Sequence, residues 1–247
     1  MNILELKIIK NKYFIFFINS FLTIFLIKIS PSFYGDSLID FDSPSYINES
    51  PYRFSMYPYI INFIGKDQLE KLITLQIVIL SISFSFISFA MLQTTIKKSL
   101  IILLQVFLIF NFFYTSFSKV ILTESLFFSS INLILGCLIF FFVKRQNYLL
   151  FIASLLSGFL VSLRPEGIVL GLTFLIIILF LKNKKNYFSS FVLIFLIFPL
   201  SENIIYFKKF EERKTVFNQS ILGKFFMLSG TQNFNINDYS ELSDDFL

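Results

Sequence analysis

The chain has 247 residues, of which 55% are hydrophobic and only 15% are charged, and its mean hydropathy is +0.75. Soluble domains usually carry about 25% charged residues. The composition therefore excludes a disordered chain, a coiled coil and an ordinary cytosolic enzyme, and it indicates a polytopic membrane protein. There is no histidine and only one cysteine, which excludes a Ser-His-Asp triad, a disulfide framework and zinc sites built from these residues.

Apolar runs bounded by charged residues predict an all-α membrane bundle of about seven transmembrane helices. No small-residue cleavage pattern follows the first run, so we interpret it as a retained anchor rather than a signal peptide. The polar tail at residues 211–247 is predicted to be partly disordered. In chain order, the predicted spans are Tyr13–Ile29, Leu72–Leu92, Leu100–Phe117, Val120–Val143, Tyr148–Leu163, Gly167–Leu181 and Tyr187–Ile205.

Basic residues give the predicted orientation. If the N-terminus is cytoplasmic, the inner segments at 97–98, 144–145 and 182–185 are all short and basic, as the positive-inside rule requires. The long first loop, residues 30–71, then faces outward and is predicted to contain short interfacial helices. The net charge of +5 is too small to indicate a nucleic-acid partner.

The first outer loop carries three aspartates within seven residues, and an arginine follows them. The aspartates are Asp36, Asp40 and Asp42, and the arginine is Arg53. A carboxylate can accept a proton from an attacking hydroxyl group that lies within hydrogen-bonding distance. A solvated acidic loop is the plainer interpretation of the same residues.

Two further charged motifs fall on the predicted outer side. Glu124 lies about one turn inside the fourth span, where an ionisable side chain should face a cavity or a partner. Arg164 and Glu166 connect two short spans and are expected below the outer surface, where an unpaired charge is costly. An arginine at that depth is suited to bind a phosphate, because its guanidinium makes paired contacts with phosphate oxygens. The plainer alternatives for Glu124 are a side chain that reaches the membrane interface or a pair with Lys119. For Arg164 the plainer alternative is an internal ion pair with Glu124 or Glu166.

Together these motifs resemble the GT-C integral membrane glycosyltransferases, which include protein mannosyltransferases, aminoarabinose transferases and related bacterial enzymes. The resemblance covers residues 1–210, a seven-span module, and the family then adds further spans. We therefore expect a minimal member, a fragment or one half of a split enzyme. The motifs are Asp42-Ser43-Pro44-Ser45-Tyr46 with Arg53 and Tyr57-Pro58, Leu122-Thr123-Glu124, and Leu163-Arg164-Pro165-Glu166-Gly167.

The resemblance implies transfer of a sugar from a polyprenyl-phosphate donor to a hydroxyl of a glycan, lipid or protein acceptor. The site would face the periplasm or exterior from the inner (plasma) membrane, among membrane lipids. No cofactor is expected, and the sequence leaves a divalent metal open. The resemblance implies a catalytic base in the first loop, with Asp42 as the best match, Asp36 as the next and Asp40 as the last. It also implies that Arg164 and Arg53 bind the donor phosphate. The implied sugar or acceptor contacts are Glu124, Glu166, Tyr46 and Tyr57.

Two other functions remain open. A transporter or lipid flippase would also place charges in a membrane cavity, although it would more often show paired repeats or broken helices in both halves. A non-catalytic or truncated membrane subunit would suit the short chain, but it gives no reason for three charged motifs on one face. The sequence therefore favours a glycosyltransferase.

Overall fold

The computed structural model describes residues 3–35, 37–49 and 53–179, together with residue 192, residues 195–201 and residue 204. Within these residues all regular secondary structure is helical, which confirms the predicted all-α fold for this part of the chain. The tail at 211–247 and most of the seventh predicted span lie outside it. The helices are α1 (Ile3–Ile29), α2 (Ser43–Ile47), α3 (Met56–Ile64), α4 (Leu69–Met91), α5 (Lys98–Ile109), α6 (Phe112–Phe117), α7 (Glu124–Lys144), α8 (Asn147–Leu163) and α9 (Gly167–Leu179).

Two of these helices are long and apolar enough to cross a membrane, namely α4 with 23 residues and α7 with 21 residues. At 1.5 Å per residue they are about 35 and 32 Å long, against a hydrocarbon core of about 30 Å. Shorter apolar helices accompany them at Phe16–Ile29, Lys98–Ile109, Asn147–Leu163 and Gly167–Leu179. The count of seven spans and their orientation stay predictions.

Helices α4 and α7 form the centre of the bundle. Helix α4 packs against α1, α5 and α7, while α7 packs against α8 and α8 packs against α9. Leu72, Leu80 and Phe84 of α4 are completely buried in the core between these helices. The α4–α7 contact is close, since a Cβ added to Gly136 would lie 2.6 Å from the ring of Phe86.

The third predicted span, Leu100–Phe117, is two helices rather than one. Helix α5 ends before Asn111, and α6 follows it. The Asn111 side chain accepts hydrogen bonds from the backbone N–H groups of Phe113 and Tyr114, at 3.1 and 3.3 Å. Asparagine is a strong N-cap residue. Asn111 therefore starts a second helix inside an apolar run that had predicted a single helix.

The long loop after α1 folds into the short helices α2 and α3. Pro44 lies in the first turn of α2, where its missing N–H group is not needed. Helix α3 ends at Ile64 and is followed by Gly65, whose φ of +107° favours glycine. Because α3 contacts both α4 and α8, the loop covers the end of the bundle where α4 and α7 begin and α8 ends.

Cysteine labelling tests the predicted orientation, because the turns at 92–97 and 145–146 lie at the opposite end of the bundle. Phe41 is 95% exposed and Gln146 is exposed, whereas Cys137 is buried. After Cys137→Ala, we expect Phe41→Cys to react with a membrane-impermeant maleimide in intact cells. Gln146→Cys should react only after permeabilisation, and equal labelling of both in intact cells would contradict the orientation.

Candidate functional site

The α6–α7 connection, residues 118–123, is buried backbone that belongs to no helix. Val120 and Ile121 are completely buried, so their backbone N–H and C=O groups must find partners elsewhere. One partner is Gln76 of α4, whose Nε2 donates to the carbonyl oxygen of Val120 at 2.8 Å and to that of Ser118 at 3.4 Å. A side chain of a membrane-length helix thus holds the connection in place.

The first loop supplies the other partners of the connection. The Ile121 N–H donates to the carbonyl oxygen of Leu38 at 3.1 Å. The completely buried Ser43 hydroxyl donates to the carbonyl oxygen of Ile121 at 2.9 Å and accepts from the Asp40 N–H at 2.8 Å. These bonds attach the aspartate-bearing part of the loop to the start of α7.

Lys119 joins the same connection to α1. Its Nζ donates to the carbonyl oxygens of Lys28, at 3.2 Å, and of Ser30, and a lysine in this position stabilises the C-terminal end of a helix. Burial lowers the pKa of Lys119. Lys119 therefore has a structural role, and Glu124 takes a different partner from the one that the sequence suggested as an alternative.

Two tyrosines of the loop lie beneath the candidate site. Tyr57 is completely buried, its hydroxyl donates to Gln76 Oε1, and its ring packs edge-on against Tyr46 with centroids 5.2 Å apart. Burial raises the pKa of Tyr57 well above its ordinary value, and the charge of Glu124 acts in the same direction. Tyr57 therefore remains a neutral donor that fixes Gln76, rather than an exposed wall of a sugar site.

A chain of weak hydrogen bonds runs from Arg53 to Glu124. Arg53 Nη1 donates to the Tyr46 hydroxyl at 3.5 Å, and this hydroxyl lies 3.4 Å from Thr123 Oγ1. Since Thr123 gives its only hydroxyl proton to Glu124 Oε2 at 3.3 Å, Tyr46 must be the donor to Thr123. Burial raises the pKa of Tyr46, although the charge of Arg53 acts the other way, so Tyr46 is a neutral phenol.

Asp42 is neutralised within its own loop. Arg53 Nη2 bonds to Asp42 Oδ1, Arg53 Nε donates to Ser45 Oγ at 2.9 Å, and the guanidinium lies 4.8 Å from the centroid of the Tyr46 ring. Both charged side chains are partly exposed. A substrate hydroxyl would have to compete with Arg53 for Asp42.

The three aspartates of the loop have different surroundings. Asp40 is half-buried and its carboxylate forms no ion pair with any residue that the structure describes. Burial raises the pKa of Tyr34, and the charges of Asp40 and Glu124 raise it further, which places both carboxylates in electrostatic range of this phenol. Asp36 lies outside the described residues.

Arg164 is held between two carboxylates. Its Nη1 bonds to Glu124 Oε1 and its Nε lies 3.4 Å from Glu166 Oε2, so the two glutamates use different edges of the guanidinium. Burial alone would lower the pKa of Arg164, but the charges of Glu124 and Glu166 outweigh it and raise the pKa. Both internal ion pairs considered from the sequence are formed.

The chain around Arg164 explains its position. A residue before proline is disfavoured in the helical region, and Arg164, which precedes Pro165, has extended backbone and ends α8. Helix α9 starts at once at Gly167, where an added Cβ would lie 2.5 Å from the carbonyl oxygen of Leu160. The resulting tight turn directs Arg164 towards Glu124, which is the first residue of α7 rather than one turn inside it.

Among the described candidate residues, contacts connect Asp42, Arg53 and Tyr46 of the first loop to Glu124, and Glu124 to Arg164 and Glu166. Tyr57 packs against Tyr46, and Asp40 is fixed through its N–H to Ser43. The sequence patterns do not single out Gln76, which holds the α6–α7 connection through its side chain, because a lone polar residue in an apolar helix carries no motif. In the described ranges no three His, Cys, Asp or Glu side chains meet as metal ligands. The arginine side chains of this arrangement can bind an anion, and its carboxylates can accept a proton.

Comparisons with protein-family models, with characterised proteins and with solved structures give no match for this chain. The resemblance to GT-C enzymes therefore rests on the three motifs, and the chemistry has to be argued from the geometry above.

Tyr57→Phe tests the anchoring of the connection. Removing the hydroxyl leaves the Gln76 carboxamide oxygen buried without its donor, so we expect a loss of about 1–3 kcal/mol in the free energy of unfolding. Tyr59→Phe is the matched control, since Tyr59 is 60% exposed on the same helix. Thermal unfolding in detergent measures both, and equal stability of the two variants would contradict this role of Tyr57.

Gly167→Ala tests the tight turn that carries Arg164. The new methyl group would meet backbone that cannot move aside, at a cost of roughly 1–3 kcal/mol. Gly136→Ala should cost less, because its methyl group meets the ring of Phe86, a side chain that can rotate. If Gly136→Ala proved the more damaging in thermal unfolding, the close approach at Gly167 would not be the constraint.

Proposed function

We propose that this chain is a membrane glycosyltransferase that moves a sugar from a polyprenyl-phosphate donor to an acceptor hydroxyl. The observation that carries the proposal is the meeting of three distant motifs at one end of the bundle. The first loop, Thr123-Glu124 and Arg164-Pro165-Glu166 are linked there by hydrogen bonds and ion pairs. Two membrane-length helices, α4 and α7, begin at that same end, where a lipid-linked donor would enter from the bilayer.

The proposed reaction is a direct displacement at the anomeric carbon. The acceptor oxygen bonds to that carbon while the bond from carbon to the phosphate oxygen breaks, and the departing phosphate keeps the electron pair. The acceptor proton passes to a carboxylate. Arg164 neutralises the departing phosphate, for which a planar guanidinium is well suited.

Asp40 is the base that the surroundings favour among the described aspartates. The sequence ranked Asp42 first, but Asp42 is engaged by Arg53, whereas the Asp40 carboxylate forms no ion pair with the described residues. Asp40 is fixed through its N–H to Ser43, which is itself bonded to the α6–α7 connection. Asp40 is thus the better placed proton acceptor.

A non-catalytic membrane subunit is the competing function, and one observation favours it. Arg164 and Arg53 each already have a carboxylate partner, as expected of side chains that only hold the fold together. The two functions differ in what the Asp40 carboxylate does, because the subunit has no use for a proton acceptor.

Asp40→Asn separates these functions. We expect transfer to fall by about 10²–10⁴-fold with little change in thermal stability, because no ion pair is lost. Asp42→Asn, the matched control, should reduce transfer less. Purified protein is incubated with a panel of polyprenyl-phosphate-linked hexoses and pentoses together with glycan, lipid and protein acceptors, and the release of free polyprenyl phosphate is followed by chromatography. Full activity of Asp40→Asn would remove Asp40 as the base, and no release by the wild type with any donor would favour the subunit.

A further inference from the structure

Helix α7 begins without a side-chain cap. The first backbone N–H groups of a helix have no acceptor inside it and carry partial positive charge. Thr123 occupies the cap position, but its hydroxyl makes no bond to these amides and is engaged by Glu124 and Tyr46. At α6 the corresponding residue, Asn111, does cap the helix. Within the described part of the chain, the Thr123 side chain therefore leaves the first amides of α7 able to donate to another acceptor.

An unpartnered hydroxyl lies in the same turn. Ser125 is completely buried, and its Oγ has no hydrogen-bond partner among the described residues. Ser129 and Ser130 on the same helix behave differently, since each donates to the carbonyl oxygen one turn earlier, at 2.7 and 2.8 Å. Ser162, two residues before Arg164, is the second such hydroxyl. A buried polar group without a partner is destabilising, and in native proteins it usually has a bound partner.

Arg164 brings a positive charge to this turn. Only its Nη1 is bonded to Glu124, while its Nε faces Glu166 at 3.4 Å. If Glu124 turned away, Glu166 would still orient the guanidinium, and the Nη edge would be free at the start of α7. A helix N-terminus, a hydroxyl and an arginine are the donors with which proteins bind phosphate.

We propose that the start of α7 is a phosphate site in which Glu124 takes the place of the ligand until phosphate binds. The phosphate displaces Glu124 and accepts hydrogen bonds from Arg164, from the first amides of α7 and from Ser125. Glu124 is then a competitor for Arg164 rather than a contact of the sugar. In naming a lipid phosphate as the ligand, the inference rests on the proposed function, and free phosphate is the other source of the same chemistry.

Two substitutions test the site, because they should change phosphate affinity in opposite directions. Glu124→Gln removes the competing charge, so affinity should rise by about tenfold, whereas Ser125→Ala removes a donor and should lower it by about tenfold. Ser125→Ala should also leave the free protein as stable as the wild type or more stable. Ser130→Ala is the matched control and should bind like the wild type.

Calorimetric titration in detergent with inorganic phosphate and with farnesyl phosphate measures these affinities, and thermal unfolding is recorded for each variant. Tighter binding of farnesyl phosphate identifies a lipid headgroup as the ligand, and equal binding identifies free phosphate. The proposal is overturned if the wild type binds neither probe, if Glu124→Gln folds but gains no affinity, or if Ser125→Ala binds both probes like the wild type.

The same experiment separates this inference from the proposed enzyme. Phosphate binding with the expected changes, but with no glycosyl transfer, would retain the site and remove the enzyme. Transfer that depends on Asp40, together with unchanged phosphate affinity in the Glu124 and Ser125 variants, would retain the enzyme and remove the site.

Discussion

Buried backbone outside a helix still needs hydrogen-bond partners, and the α6–α7 connection finds them partly within itself and partly in the neighbouring elements at this end of the bundle. The partners of its backbone come from α4 through Gln76 and from the first loop through Leu38 and Ser43, while the Lys119 side chain of the connection bonds in turn to the carbonyl oxygen of Lys28 at the end of α1. No single one of these elements could satisfy the connection alone. Folding the connection therefore fixes the loop, and with it Asp40, relative to the first turn of α7.

The charged residues lie beside this hydrogen-bonded network of the α6–α7 connection and the first loop. A half-buried ion pair is weak support for stability, because desolvation offsets much of the attraction between the charges. Glu124 is better placed than most such carboxylates, since it stands at the positive end of α7 as well as beside Arg164. Two favourable partners explain how a carboxylate and an arginine persist next to buried helix ends.

The helices and the charged end could be predicted from the sequence because both follow from local patterns. Long apolar runs give helices, and a proline after Arg164 ends one. The helix break at Asn111 is not predicted by the apolar run, because hydropathy alone does not show that the Asn111 side chain caps a new helix. The fourth predicted span begins at Val120, before the start of α7, for a related reason. Val120 and Ile121 are as apolar as a helix would need, but the Val120 carbonyl is bonded by Gln76 of α4, and the Ile121 backbone is bonded by the first loop.

The partners of each charge were beyond the reach of the sequence. Spacing along the chain indicates that Glu124, Arg164 and the loop aspartates lie on one side, but it does not show which carboxylate faces which arginine. The ranking of Asp42 above Asp40 rested on a motif, whereas the structure separates the two by a contact with Arg53, a residue 11 positions from Asp42. Gln76 and Tyr34 gave no signal because a lone polar residue has the same appearance whether it joins two helices or lines a site.

A paired arginine is not an argument against a ligand at this site. An unpaired guanidinium would be costly here, since isolated charges away from water lose several kcal/mol of solvation. A resident carboxylate removes that cost while the site is empty, and exchange for phosphate replaces one charge-assisted contact by another. Only the difference between the two contacts then enters the affinity. Because Glu166 holds the opposite edge of Arg164, the exchange requires only the Glu124 side chain to turn. The hydrogen-bonded network of the α6–α7 connection stays in place.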